Sequence, residues 1–475
     1  MKYLYSGTDD LYQEIKNLYC PADIVLMPYW NDYKFCIYEG VNFSDLPSVD
    51  SSILDEFRDC ESIFLKMADR LLPGSSYQER KDHYVRHLRY WHWRIEVDLD
   101  IAIFQNVPHE GFDFIIYSIC KRKKIKTLCF YTLPIRPNKA YLLSYMTDIF
   151  NSGMEIGETY KQLKRNKLSK NLSLNSVNRL LKTYIEEHSN LNKAVIPFTR
   201  SEVNSKWSFE FLRILKLTLC YVAKLNFSKL LEKVLYRIFL YLQHRFSYYQ
   251  GYRKVSKYYK DNLSIPNLSL PYIYFPLHYQ PECSTSPLGG EFSNQYLVCE
   301  MLAYAAAKYN IFIYIKEHPR ASKSAYIRNV EFYRKLLECK NVFLIDNSVN
   351  TYELIDKSIA VATITGSAGW ESFLRLKPVL LFGSRFYESA PGVFRIKSND
   401  DLINAIERII SKQFLHSSYE VLIFLKALES HVFQGFISED DLEIATVDLT
   451  SSNKNFLEAI VKFIRTSNIN DSLIS

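Results

Sequence analysis

From about residue 265 to 412 the chain alternates strictly between short β-rich apolar runs and stretches of helical spacing. The runs are PYIYFPLHYQ, IFIYIKEHP, NVFLIDNS, IAVATITG and KPVLLFG. Between and after them come NQYLVCEMLAYAAAKYN, SAYIRNVEFYRKLLECK, TYELIDKS, SAGWESFLRL and NDDLINAIERIISK, each patterned as a helix. This alternation leaves few folds open. A helix that follows a strand carries the chain back along the sheet, so the next strand enters parallel to the first. The pattern therefore predicts βαβ units and an α/β domain built on a parallel sheet over 265–412.

The first third repeats the pattern with more decoration. ADIVLMPYW and DLDIAIFQNVPHE read as strands, GFDFIIYSICKRKK as a helix and IKTLCFYTLP as the next strand, giving a second α/β domain over 1–150. A length of 475 residues accommodates two or three domains. Between the two α/β regions, 151–264 reads as a basic helical insertion. Residues 161–260 carry 21 Lys and Arg against 5 Asp and Glu, so this block is strongly positive inside a chain whose net charge is only +7. One reading is a solvated helical face; the other is a surface for anionic lipid or an acidic glycan. No nucleic-acid-binding motif accompanies the charge. The remaining 413–475 reads as C-terminal helices. Nine scattered cysteines form no CxxC pair, which fits reduced thiols and a cytoplasmic location. Neither a signal peptide nor a membrane-length apolar run is expected.

Open parallel sheets bind ligands beyond the carboxyl ends of their strands. In 265–412 those positions are polar in nearly every loop: His278, Gln280, Glu282, Ser284 and Thr285 after the first strand, Lys316-Glu317-His318-Pro319-Arg320 after the second, Asp346-Asn347-Ser348 after the third, TGSAGWES after the fourth and FGSRFYESAPG after the fifth. In the fourth loop, Thr365, Gly366, Ser367, Gly369 and Glu371 open a helix. Its glycines permit close backbone approach, Ser367 is an N-cap candidate, and a helix N-terminus suits a phosphate. Glu371, four residues after Ser367, reaches either a ribose or its own capping arrangement. In the second loop His318 is a donor to a phosphate oxygen, Lys316 and Arg320 add charge, and Pro319 braces the backbone. The plainer reading of His318 is a histidine packed under its loop.

YFPLHYQPE, YIKEHPR and TITGSAGWESFLRLKPVLLFG together resemble the capsule polysaccharide biosynthesis family, and NVPHEGFD at 106–113 is similar to a turn in that family's first domain. The family resembles transferases that use CMP-activated 3-deoxy-manno-octulosonic acid (Kdo). The resemblance implies a GT-B-like α/β architecture: two Rossmann-like domains whose parallel sheets face a cleft, here with the basic helical insertion added. It implies a nucleotide-sugar held by His318, by Ser367 with its flanking glycines, and by Glu371 at the ribose. Glu282 becomes the candidate catalytic carboxylate, as nucleophile in a retaining reaction or as activator of the acceptor hydroxyl. His109 and Glu110 would face the acceptor, one of them as the base.

The same reading expects no metal and no cofactor beyond the CMP-sugar donor substrate. The one DxD, Asp98-Leu99-Asp100, opens a strand instead of following one. The partners implied are a nucleotide-sugar donor, a glycan or glycolipid acceptor and, through 161–260, the anionic inner face of the bacterial inner membrane; nucleic acid is not among them. Competing readings are a transferase using a UDP-sugar or CDP-glycerol, and a non-catalytic glycan- or lipid-binding partner in capsule export.

Overall fold

The computed structural model describes residues 3–6, 24–26, 42–72, 75–95, 99–133, 142–166, 253–280, 282–319, 328–413, 416–437 and 447–466, with isolated positions between them. Arg320, Asp98 and nearly all of the basic block, 167–250, lie outside the described residues.

Two sheets form. The first contains β1 (Tyr3–Ser6), β2 (Ile24–Leu26), β3 (Ile101–Phe104), β4 (Lys126–Thr132), β5 (Leu142–Met146) and β13 (Val432–Gln434), in the order β13-β5-β4-β3-β1-β2. Strands β2, β1, β3 and β4 are parallel, with Tyr3 opposite both Ile24 and Ile101. Strand β5 runs antiparallel to both its neighbours, β4 and the edge strand β13, so this sheet is mixed and not purely parallel. The second sheet is parallel throughout: β6 (Leu263–Ser264), β7 (Tyr272–Pro276), β8 (Phe312–Lys316), β9 (Val342–Ile345), β10 (Ala360–Thr363), β11 (Val379–Leu381) and β12 (Val393–Arg395), in the order β12-β11-β10-β7-β8-β9-β6.

Both sheets are covered on both faces, which explains why their strands read as continuous apolar runs. Along β3 and β4, Ile101, Ile103, Leu128 and Phe130 pack on one face against Phe456 and Ile460. Ala102, Phe104, Cys129 and Tyr131 turn to the other face, against the first-domain helices. In the second sheet Ile273, Phe275, Ile313 and Ile315 face one layer, while Tyr272, Tyr274, Tyr314 and Val361 face the other. The period of two is the strand's own geometry.

The helices in chain order are α1 (Ser51–Glu56), α2 (Arg58–Leu71), α3 (Tyr77–Arg94), α4 (Phe112–Arg122), α5 (Met154–Arg165), α6 (Gln295–Ala307), α7 (Val330–Leu337), α8 (Thr351–Lys357), α9 (Ser367–Leu374), α10 (Asn399–Ile410), α11 (Ser418–Glu429) and α12 (Leu449–Thr466). Several start where the sequence supplies a cap. Ser76 with Glu79, Ser398 with Asp401 and Ser417 with Glu420 form reciprocal capping boxes. The α7 helix begins at Val330, capped by Asn329, later than the periodicity from 324 suggests. The segment expected as C-terminal helices also contributes β13 to the first sheet, and its α12 covers that sheet's outer face.

The two sheets meet through tight backbone contacts. Ser152 N–H donates to Ser384 Oγ at 2.9 Å and Gly153 N–H to Glu388 Oε1 at 2.9 Å. A Cβ on Gly153 would stand 2.8 Å from the carbonyl oxygens of Arg385 and Phe386, and one on Gly157 2.4 Å from Ser389 Cβ. Glycine at both positions lets α5 dock on the loop after β11.

Candidate functional site

The second sheet changes direction between β7 and β10. From β7 the chain winds outward through β8 and β9, then returns to place β10 on β7's other side. The crevice beyond this pair is where an open α/β sheet binds its ligand. His278 lies there, two residues past β7, with 7% of its surface exposed. Its Nε2 accepts the Thr365 N–H at 3.1 Å and lies 3.3 Å from Thr363 Oγ1. Burial first, then the charges of His318 and Arg328, push its pKa down to about 3. His278 is therefore neutral and carries its proton on Nδ1, and that buried nitrogen has no partner among the described residues. A buried donor left over at the switch point is a group a ligand can satisfy.

Helix α9 opens beside it. The N-cap is Gly366 and no side chain caps the helix, so Ser367 is the first helical residue and not the cap expected of it. The Gly369 N–H turns back to the Gly366 carbonyl at 3.2 Å, so the N–H groups of Ser367 and Ala368 are those left to an anion, with the positive end of the helix dipole behind them. Gly366 and Gly369 are needed for space, because neither has a positive φ. A Cβ on Gly366 would stand 2.9 Å from Thr363 Oγ1 and 3.0 Å from His278 Nε2; one on Gly369 would stand 2.5 Å from Tyr387 Oη. Tyr387 Oη donates to the Gly366 carbonyl at 2.7 Å. Glu371 is buried under this turn. Burial raises its pKa, while a hydrogen bond from Ser367 and the charge of Arg375 act the other way.

The loop after β8 divides its labour. Lys316 is buried and donates to Val349 O at 2.6 Å and Thr351 Oγ1 at 2.9 Å, tying β8 to the start of α8; burial lowers its pKa to about 8. Glu317, for which the sequence offered no role, is buried. Its carboxylate accepts from Arg328 at 2.6 Å, from the His318 N–H at 2.6 Å and from the Tyr333 hydroxyl. Arg328 also donates to the His278 carbonyl at 2.5 Å, so one guanidinium joins the ends of β7 and β8. His318 is half-buried, its ring 5.5 Å from that of Tyr279, and Pro319 is exposed.

Across the interface, the first sheet has its own switch point between β1 and β3, and the loop after β3 carries His109 and Glu110. Gly111, at φ +83°, turns the chain into α4, a conformation that favours glycine. Asp113 gathers the turn: its oxygens accept the N–H groups of His109 at 2.9 Å, Glu110 at 2.8 Å and Phe114 at 2.6 Å. Burial raises the Asp113 pKa to about 6 against the opposing charge of His109. His109 Nδ1 bonds to the Val107 carbonyl at 2.5 Å and its Nε2 lies 3.1 Å from Glu110 Oε1. A carbonyl and a carboxylate both accept, so the imidazole supplies both protons and is charged. Burial opposes that charge, but the hydrogen bond and charge of Glu110 prevail and His109's pKa is raised.

Helix α2 links this turn to the other domain. Arg70, near its end, donates to the His109 carbonyl. Two turns earlier the Ile63 carbonyl lies 3.5 Å from Ser286 Oγ, in the Glu282 loop. Glu282 Oε2 accepts from Ser284 Oγ at 3.1 Å, and its carbonyl receives the N–H groups of Thr285 and Ser286. Between the two turns, burial drives the Cys283 thiol up to about 12, and the charges of Arg70, Asp113, Glu110 and Glu282 all act on it. The structure thus joins the Glu282 loop and the His109-Glu110 turn through α2 across the domain boundary, and groups Thr365, Gly366, Ser367, Gly369 and Glu371 with His278.

The sequence passed over Asp113, whose bonds are to the turn just before it and to Phe114, and Arg70 and Arg328, whose roles depend on long-range pairing, and left His278 as one polar loop residue among several. Among the described residues no three His, Cys, Asp or Glu come together as metal ligands, and no helix is long and apolar enough to cross a membrane.

Residues 284–419 match the family model described as capsule polysaccharide biosynthesis protein. No curated protein matches the chain. Among solved structures, the chain is similar to a point mutant of S. aureus TarM in complex with fondaparinux, alpha-GlcNAc-glycerol and UDP, at 13% identity over 42% of this chain and 36% of that one, with a TM-score of 0.24. It is also similar to Thermosulfurimonas dismutans KpsC, beta Kdo 2,7 transferase, at 12% identity over 84% and 95% of the two chains, with a TM-score of 0.30. Methanocaldococcus jannaschii UDP-GlcNAc 2-epimerase is 11% identical over 90% and 100%, with a TM-score of 0.27. The chain spans about a third of the first of these structures.

Proposed function

We propose that this chain, whose residues 284–419 carry the capsule polysaccharide biosynthesis pattern, is a glycosyltransferase of bacterial surface polysaccharide assembly. It takes a nucleotide-sugar on the second domain and a glycan or glycolipid acceptor on the first. The observation that carries this reading is the switch-point crevice, where the start of α9, capped by no side chain, adjoins the buried His278, whose Nε2 takes the Thr365 N–H. Such a crevice suits the phosphate of a nucleotide. Across the boundary the first domain supplies the pair His109 with Glu110, and the charges of Glu110 and Glu282 both act on Cys283 between them.

In this reading the acceptor hydroxyl loses its proton to Glu110, with His109 holding that carboxylate ionised until it is needed. The hydroxyl oxygen forms the new bond to the anomeric carbon as the bond to the donor phosphate breaks. The negative charge left on the nucleotide is met by the α9 N-terminus and His318. In a retaining course Glu282 attacks the anomeric carbon first and the acceptor displaces it; in an inverting course Glu282 helps to activate the hydroxyl. The donor we favour is a CMP-activated ulosonic acid such as CMP-Kdo. One phosphate carries less charge than two, so a helix N-terminus with neighbouring histidines suffices for it. Lys316 and Arg320 supply field, and Glu371 takes the ribose.

The test is binding of CMP, CDP, UDP and their sugars to the purified protein, repeated with His318→Ala and Glu282→Ala. CMP should bind, His318→Ala should weaken it, and Glu282→Ala should keep binding while losing transfer. Preferential UDP binding would remove the ulosonate donor, and no nucleotide binding at all would favour a non-catalytic glycan-binding role.

A further inference from the structure

Arg385 follows β11, the next strand beyond β10 in the second sheet. It is 8% exposed, yet no carboxylate is among the charges acting on it. Its Nε donates to the Thr365 carbonyl at 2.5 Å. Its guanidinium carbon lies 4.8 Å from the centre of the Tyr131 ring, which belongs to the first sheet. These contacts account for one N–H and one face of the guanidinium. The two terminal nitrogens donate to no described residue, although the neighbouring Arg395, which reaches the Phe150 carbonyl across the same interface, is paired with Glu388. Burial without an acid pushes the Arg385 pKa down to about 10.

A guanidinium buried without an acid is unfavourable unless an anion completes it. Here the surroundings hold it in place. The Thr365 carbonyl fixes Nε, the Thr365 hydroxyl is itself bonded to the Ser284 carbonyl, and Gly383 N–H donates to Ile364 O at 2.7 Å. A Cβ on Gly383 would stand 2.4 Å from Thr365 Cγ2, so the loops after β10 and β11 are pressed together. What remains is an end-on pair of N–H₂ groups, the fork that binds a planar carboxylate or a phosphate with two hydrogen bonds.

We propose that Arg385 is a substrate-binding residue that takes an oxyanion of the transferred group, the carboxylate of an acidic donor sugar, at the seam between the two domains. The proposal rests on the nucleotide-sugar reading above and sharpens it. Position favours the sugar over the nucleotide. The α9 N-terminus and His278 lie at the β7–β10 crevice, whereas Arg385 lies one strand further on and touches Tyr131 of the opposite domain. A group bound there lies between the phosphate site and the acceptor domain, where the sugar must be for transfer. The Glu282 loop adjoins it through Ser284 and Thr365. Arg385 would therefore select sugars that carry a carboxylate next to the anomeric carbon, and its contact with Tyr131 would make recognition depend on both domains.

The experiment compares the whole protein with Arg385→Met and Arg385→Lys, using CMP, CMP-Kdo and UDP-glucose as probes in titration calorimetry. Melting curves check folding. Arg385→Met keeps length and removes the unpaired charge, so the ligand-free variant should melt no lower than wild type. In wild type CMP-Kdo should bind more tightly than CMP. Arg385→Met should weaken CMP-Kdo by about 10- to 100-fold and leave CMP unchanged, and Arg385→Lys should recover only part of the loss. Equal weakening of CMP and CMP-Kdo would make Arg385 a nucleotide-phosphate contact and overturn the carboxylate assignment. So would unchanged affinities in both variants. If wild type binds UDP-glucose and neither CMP ligand, the donor reading itself falls and the carboxylate assignment with it; CMP binding in wild type separates that failure from the failure of Arg385 alone.

Discussion

Replacing Arg328 with Met tests the link between the two histidine loops. Arg328 and Glu317 are 8% and 9% exposed and 2.6 Å apart, so solvent screens their pairing little. In Arg328→Met the Glu317 carboxylate stays buried with only the Tyr333 hydroxyl and the His318 N–H. Stranding one member of a buried pair costs about 3–5 kcal/mol. The lost bond to the His278 carbonyl accounts for about 1 kcal/mol of that. Glu317→Gln keeps an acceptor for the backbone but strands the guanidinium, at a cost of about 3 kcal/mol. Because both changes strike one network, the double variant should cost less than the sum of the singles, with a coupling of about 1–3 kcal/mol. Urea denaturation of the four proteins gives the cycle. CMP titration of the same set reports the site, and affinity should fall in each variant because the ends of β7 and β8 are no longer joined. A cost below about 1 kcal/mol for Arg328→Met, or additivity within about 0.5 kcal/mol, would refute the reasoning.

Gly369→Ala places a methyl 2.5 Å from Tyr387 Oη and 2.7 Å from Thr363 Cγ2; it should cost about 1–3 kcal/mol by overpacking and weaken CMP, and an unchanged melting temperature would contradict the packing described. His109 has a raised pKa, so its contribution to stability is complete below the unfolded value of about 6.5 and is lost as pH rises through the folded value. His109→Gln should therefore lose most stability, relative to wild type, at low pH, and a melting difference that stays constant from about pH 5 to 9 would exclude the charged pair. The basic block 161–260 should make the protein sediment with anionic vesicles in a salt-sensitive way, and indifference to lipid charge would remove a membrane role.

Much of the second domain is legible in the chain because each core strand is a continuous apolar run, and each helix between such runs has its own period and often its own cap. The edge strands β6 and β12 escaped that reading. They are two and three residues long and only partly buried, so neither length nor hydrophobicity marks them. The reversed strand β5 and its neighbour β13 escaped for another reason: direction within a sheet is set by which strand a segment pairs with, and β13 pairs across almost three hundred residues. At the site, loop polarity singled out His318, Glu282 and the Ser367 turn, but the division within those loops was not legible. Lys316 and Glu317 are adjacent ionisable residues in one short motif, and local sequence does not say that both turn inward, to Thr351 and to Arg328.

By itself the sequence determined the α/β class, the order of elements and the loops that end at the sheet edges, because these follow from periodicity and from the short reach of turns. Only the tertiary structure decided which residues share a site. The switch point between β7 and β10 brings His278 to Thr365, and α2 carries the Glu282 loop to the His109 turn. Burial between two sheets leaves Arg385 without an acid. A buried charge has no meaning until its neighbours are in place, since its energy depends on the partners and the dielectric that packing supplies.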